Sequence, residues 1–183
     1  MGQPSFDVAG AVVFDLPRGA VRAGGTQIVC VPIEALAALA DDPRVAERVG
    51  RAMGQAVGKR ILTRVGSSNA VREASIERVV TELGAEFALA GYGSLSLQRW
   101  GRAMVLVVTD GALPDPLLHA VFAASLEVST GQKVACTTLT REGTKVSVLV
   151  SSDRAVKQAD DWLGRGIAWG EVLTRLQAAS GVS

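Results

Sequence analysis

The chain carries one histidine, His119, one turn into a segment reading "DPLLHAVFAASLEVST". Histidine moves protons near neutral pH more readily than any other side chain, so it is the first candidate for acid–base work. Its sequence neighbours are Leu118, Val121 and Phe122, and no ligand-type residue stands at metal-binding spacing from it. Packing is the expected role. Asp160 and Asp161 adjoin, but consecutive helical residues point about 100° apart and cannot share a proton as a carboxylate pair does. They are expected to be solvated.

Cys30 and Cys136 lie in apolar, strand-like runs and are expected as buried free thiols. The glycine pairs "GYGS" (residues 91–94) and "GRG" (residues 164–166) invite a phosphate-loop reading. Neither continues into Lys-Ser/Thr, and "GYGS" follows a helix and opens a strand, the reverse of the dinucleotide order. Both are expected to end helices. No Gly-x-Ser-x-Gly elbow occurs. The residues therefore predict a protein that is not an enzyme, with no metal and no cofactor.

Aromatic residues make up 4% of the 183 residues and the formal net charge is +1. Single-stranded nucleic acid needs stacking platforms and duplexes need a basic stripe, so nucleic acid is excluded as an expected partner. The first residues, "MGQPSFDVAGAVVFDL", lack a basic region and carry Asp7 and Asp15, unlike a signal peptide. Gly2 is not followed by Ser or Thr at the position a myristoylation signal requires. No apolar run approaches the ~20 residues that span a bilayer. A cytoplasmic chain without a membrane span is expected.

The periodicity places these residues on a definite frame. Two β-branched runs, "VAGAVVF" and "TQIVCVPI", flank a turn-rich "DLPRGAVRAGG" and predict a short N-terminal β arm. "EALAALADD" predicts two helical turns. Asp42 before Pro43 reads as an N-cap, opening a helix to about residue 65 with Val45, Val49, Met53, Ala56, Val57 and Ile61 as its apolar positions. A second helix follows a polar break, with Ile76, Val79, Val80, Leu83 and Phe87 at helical spacing. "SLSLQRW" and "AMVLVVT" form a hairpin, Asp115 and Pro116 open a third helix closed by Gly131, and "KVACTTLT" and "KVSVLVS" form a second hairpin. Two short helices end the chain.

This order predicts an α+β fold: a four-stranded antiparallel sheet of two hairpins with helices packed on one face, plus the arm. A single domain, 1–183, is expected. It divides into an arm and short helix (1–41), an α/β core (42–151) and a helical tail (152–183).

The long helix contains "RVGRAMGQAVGKRI", with Gly50, Gly54 and Gly58 at four-residue intervals. Each glycine weakens a helix interior by roughly 1 kcal/mol relative to alanine. Such a bare flank pays off only if another backbone comes close. Arg48, Arg51, Lys59 and Arg60 exclude a membrane span as the reason. Helix-on-sheet packing within one subunit and a helix pair between subunits both remain open.

Val49, Gly50, Met53 and Gly54, followed by the corner Gly91, Tyr92 and Gly93, resemble the small D subunit of bacterial cellulose synthase complexes. The arrangement is also similar to the broader 4-vinyl reductase and TRAPP-like superfamily, over residues 45–150. The nearer resemblance implies a non-catalytic homo-oligomer, an accessory of cellulose biosynthesis and secretion. Its partners would be itself, other synthase subunits or glucan chains, with Tyr92 fixing the corner between helix and strand. The wider resemblance implies a dimeric module that binds a small apolar ligand or a protein, with Phe87, Leu89, Met104 and Phe122 lining a pocket between helices and sheet. Those four side chains also read as ordinary core. The arm and tail depart from the cellulose subunit, and the cysteine-rich segment of many 4-vinyl reductase-like domains is absent.

Overall fold

The computed structural model describes residues 12–23, 26–101 and 103–180. The arm consists of β1 (Val12–Asp15), β2 (Ala20–Ala23) and β3 (Thr26–Ile28), an antiparallel meander in that order. Four helices follow: α1 (Ile33–Leu39), α2 (Pro43–Val65), α3 (Ser68–Glu73) and α4 (Ile76–Ala90). The hairpin β4 (Ser94–Trp100) and β5 (Ala103–Thr109) leads into α5 (Asp115–Thr130). A second hairpin, β6 (Ala135–Glu142) and β7 (Lys145–Ser151), precedes α6 (Asp153–Gly164) and α7 (Trp169–Ser180).

The main sheet is antiparallel throughout, in the order β4-β5-β7-β6, so the second strands of the two hairpins meet at its centre. The fold is α+β, four strands in two hairpins with helices and an N-terminal β arm.

Local signals explain the helix ends. The Asp42 carboxylate accepts from Arg44 N at 2.8 Å and Val45 N at 3.4 Å, satisfying donors that the first turn leaves free. Ser75 and Ser152 do the same for α4 and α6. Gly91 and Gly131 close α4 and α5 in the left-handed conformation, which glycine adopts without steric cost.

Three features differ from the pattern read off the sequence. The sheet is covered on both faces, not one. Leu106, Val108, Val146, Val148 and Val150 pack with α2, α4 and α5. Val105, Val107 and Leu149 point the other way and pack with Ala159 of α6 and Val172, Leu173 and Leu176 of α7. The unbroken apolar run of β5 is the mark of a strand buried on both sides.

Within "DLPRGAVRAGG", Leu16–Arg18 form a 3-10 turn and Ala20–Ala23 form β2, so the arm has three strands rather than two. The polar break before α4 also contains the short helix α3, capped by Ser67. Residues 8–11 of the expected first strand, Gly24, Gly25, the turn residue Arg102 and residues 1–7, with Gly2 and Asp7, lie outside the described residues.

Candidate functional site

The bare flank of α2 is filled by α5 of the same chain. A Cβ built on Gly50 would stand 2.6 Å from Ala120 Cβ and 2.8 Å from the Leu117 oxygen. One on Gly54 would collide with the Val121 oxygen and lie 2.9 Å from Ala124 Cβ; one on Gly58 would lie 2.7 Å from the Ser125 oxygen. Each four-residue step on α2 meets a four-residue step on α5, so the helices run side by side in the same direction. The partner is thus a helix rather than the sheet, and it comes from the same chain. Of the expected apolar positions on α2, Val57 and Ile61 are buried, Val45, Val49 and Met53 half-buried and Ala56 exposed, and Ala46, Gly50, Gly54 and Gly58 are buried as well.

The corner after α4 is also structural. Gly91 sits at φ +71° with open space around it, so its conformation alone requires glycine. At Gly93, φ is +114° and a Cβ would come within 2.7 Å of the Thr109 oxygen. Between them Tyr92 meets Phe87 edge to face, with ring centroids 5.5 Å apart. Burial raises the Tyr92 hydroxyl's pKa, and the nearby Arg60 charge opposes that.

The expected pocket between helices and sheet is occupied by the chain's own side chains. Phe87 and Phe122 are fully buried and stacked with centroids 4.8 Å apart. Met104 packs against the same cluster, and Leu89 is half-buried. An open groove of about 340 Å³ lies nearby instead, between α4 and the edge strand β4. Its walls are Val80, Thr81, Gly84 and Ala88 on the helix side and residues 94–97 on the strand side. Gly84 differs from the α2 glycines: a Cβ there would make ordinary contact, 3.5 Å from Leu95 Cβ.

Exposed apolar side chains concentrate in one stretch of the chain. Val13, Phe14, Leu16, Val29 and Val31 of the arm are exposed, as are Ile33 and Leu39 of α1. Trp100 is the one other large apolar side chain so exposed among the described residues. Cys30 lies within this stretch and is exposed, contrary to the expectation of two buried thiols. The run "IVCVPI" is apolar because the arm is apolar, not because it enters the core. Cys136 is half-buried against the main core, and desolvation pushes its thiol up to about 12.

One buried charge escaped the sequence reading. Glu86 has no solvent exposure; its Oε2 accepts from Arg60 Nε at 2.5 Å and its Oε1 pairs with Arg64. Arg64 also reaches Glu82 at 2.9 Å. The signal was present: Glu86 shares the apolar face of Val79, Leu83 and Phe87, while Arg60 and Arg64 sit one turn apart.

His119 Nε2 lies 2.8 Å from Thr138 Oγ1, and burial lowers its pKa against the pull of Asp115 and Asp160. Asp160 accepts from Thr137 and Asp161 pairs with Arg165. Asp160 thus ties α6 to β6 although it remains exposed. Among the described residues no buried side-chain nitrogen or oxygen lacks a partner, and no group of three or more ligand-type residues could hold a metal.

No family model and no curated protein matches the sequence. Among solved structures, the phenol-responsive sensory domain of the transcription activator PoxR, crystallised with phenol, superposes with a TM-score of 0.60 at 12% identity. The match covers 87% of this chain and 92% of that one. The chain shares that domain's fold. Trafficking protein particle complex subunit 3 from Naegleria fowleri, covalently bound to palmitic acid, gives a TM-score of 0.46 at 15% identity, covering 62% and 81% of the two chains. Among the described residues no helix is long and apolar enough to cross a membrane.

Proposed function

We propose that this chain is a non-catalytic assembly module that works as a homo-oligomer through its N-terminal arm. The observation that carries the reading is the uncovered apolar surface of residues 13–39. Scattered apolar residues need no explanation, but their concentration in one stretch of the chain supports a contact surface there. Light scattering on the full chain tests it. A mass above that of one chain is expected, falling to one chain when Val13 and Phe14 are both replaced by aspartate. A single-chain mass at every concentration overturns the proposal.

A second reading has its own support. The α4–β4 groove is within the range of small-molecule sites and is mostly apolar, with Thr81, Ser94 and Ser96 as the hydroxyl-bearing residues of its lining. A shared fold with a phenol-responsive domain makes a small, neutral, largely apolar ligand the natural candidate. Native mass spectrometry of the purified chain, and thermal shift with phenol as the probe, test this reading; no bound species and no shift would overturn it.

A place in a cellulose secretion complex has only the Val49–Gly54 and Gly91–Gly93 motifs behind it. Gly50 and Gly54 already face α5, and Gly91 and Gly93 shape the corner. That finer role is tested by co-purification with cellulose synthase subunits.

A further inference from the structure

On the face of the sheet opposite the α4–β4 groove, we infer that a second site binds one unit of a neutral sugar. The site is a depression of about 130 Å³ lined by Gln98 of β4, Thr140 and Glu142 of β6, Lys145 and Ser147 of β7, and Trp169 at the start of α7. Three strands and a helix thus converge on it. The register sets Ser147 between Thr140 and Val107, and pairs Glu142 with Lys145 nearer the turn. Ser147 shares its strand face with Leu149, which packs with α6 and α7. The depression lies where that apolar cover stops.

Ser147 marks the site. It interrupts the apolar run of β7 on a sheet face otherwise packed with Val105, Val107 and Leu149. It is only 9% exposed, yet its hydroxyl has no hydrogen-bond partner among the described residues. Buried hydroxyls are normally paired, because leaving one unmet costs stability. Among the described residues no side-chain oxygen is sealed away without a partner, so this hydroxyl is reached from the depression. The side chains of Gln98, Thr140, Glu142 and Lys145 likewise make no hydrogen bond or ion pair with another described residue. Five polar side chains around one hollow keep their bonding capacity for whatever enters it.

The chemistry of the lining selects the ligand. The volume is well below the ~300 Å³ at which drug-sized pockets begin, so a fatty chain or a fused ring system does not fit. One lysine opposite a carboxylate makes no anion site, and a single carboxylate makes no metal site. A sugar hydroxyl both donates and accepts. Here such groups meet a carboxylate that accepts, an ammonium that donates, and an amide and two hydroxyls that do both. Trp169 supplies an apolar wall for the C–H face of a sugar ring. It is half-buried and meets Trp100 edge to face at 5.5 Å, which fixes the indole plane while part of the ring stays open. A phenol-like ligand would leave most of these polar groups unmet, and suits the apolar α4–β4 groove instead.

Heteronuclear NMR of the full chain tests the site, with the methyl glycosides of glucose, galactose, mannose and N-acetylglucosamine as probes. At least one is expected to give saturable shifts at the Trp169 indole N–H and at the amides of residues 140–147. Valine suits a buried strand, so Ser147→Val is expected to keep or raise the Tm while binding weakens about ten-fold. Undiminished binding by a folded Ser147→Val chain would overturn the inference. If that variant does not fold, Gln98→Ala at its exposed position decides by the same criterion. No saturable shift with any of these glycosides would also overturn it, as would shifts confined to residues 80–97 of the other groove. So would saturation by free alanine alone, which would assign the facing Glu142 and Lys145 to a zwitterion. These outcomes leave the mass of the assembly untouched, so the oligomer reading stands or falls separately.

Discussion

Arg60 Nε stands 2.5 Å from Glu86 Oε2, a carboxylate sealed from solvent on the inner face of α4. With Arg64 on the other oxygen, the carboxylate is held by two cations from one helix. This pins α4 to α2 in one register. It also makes the two ends of the interaction unequal, because the arginines are part-exposed and the glutamate is not.

Removing the cations strands a buried charge, whereas removing the carboxylate lets the arginines turn outward. The double variant Arg60→Met, Arg64→Met is expected to lose about 3–5 kcal/mol, and Glu86→Leu far less. Urea denaturation of both variants measures the asymmetry. Equal losses would mean the arginines cannot relax to solvent.

The glycines of α2 and α4 are expected to respond with opposite signs. Gly54→Ala gains about 1 kcal/mol of helix propensity but drives a methyl group into the Val121 carbonyl, an overpacking of about 1–3 kcal/mol, so its Tm falls. Gly84→Ala has room beside Leu95 and is expected to gain up to about 1 kcal/mol. Thermal melts of the two single variants decide the matter. A stabilised Gly54→Ala would show that α2 and α5 are not tightly apposed.

His119 makes the chain acid-sensitive. Burial lowers its folded pKa, so the neutral ring contributes stability that is present above the unfolded value of about 6.5. That contribution is lost as pH falls through the lowered folded value, because the unfolded chain takes up the proton first. His119→Gln is expected to flatten the decline in stability between pH 7 and pH 5 relative to the parent. An unchanged slope would assign the decline to carboxylates alone.

The tail is part of the fold rather than an appendage. Leu173 is fully buried against the second sheet face, and Trp169 meets Trp100 edge to face at 5.5 Å. Leu173→Ala is expected to cost about 2–5 kcal/mol. Ending the chain at Ser151 would bare Val105, Val107 and Leu149, and aggregation on expression is the predicted result. A soluble, cooperatively melting truncation would contradict this.

Local chemistry made the elements legible. Asp42 and Pro43, Ser75, Gly91 and Gly131 each act within a turn of themselves, so the ends of α2, α4 and α5 follow from residue type. The alternation of β4 against the unbroken apolar β5 likewise separates an edge strand from a central one. Even the demand of Gly50, Gly54 and Gly58 for a close neighbour is readable, because a missing side chain has a known helical cost.

What supplied that neighbour was not readable. Whether the flank meets α5 of the same chain, the sheet or a second subunit depends on residues more than sixty positions away, and sequence spacing carries no information about that distance. The same holds for Glu86, whose burial is tolerable only because Arg60 and Arg64 arrive across the helix pair. It holds also for the sheet's second face, covered only once α6 and α7 fold back onto it. Caps and periods are properties of neighbours along the chain; partners and exposure are properties of packing, and only the tertiary structure decides them.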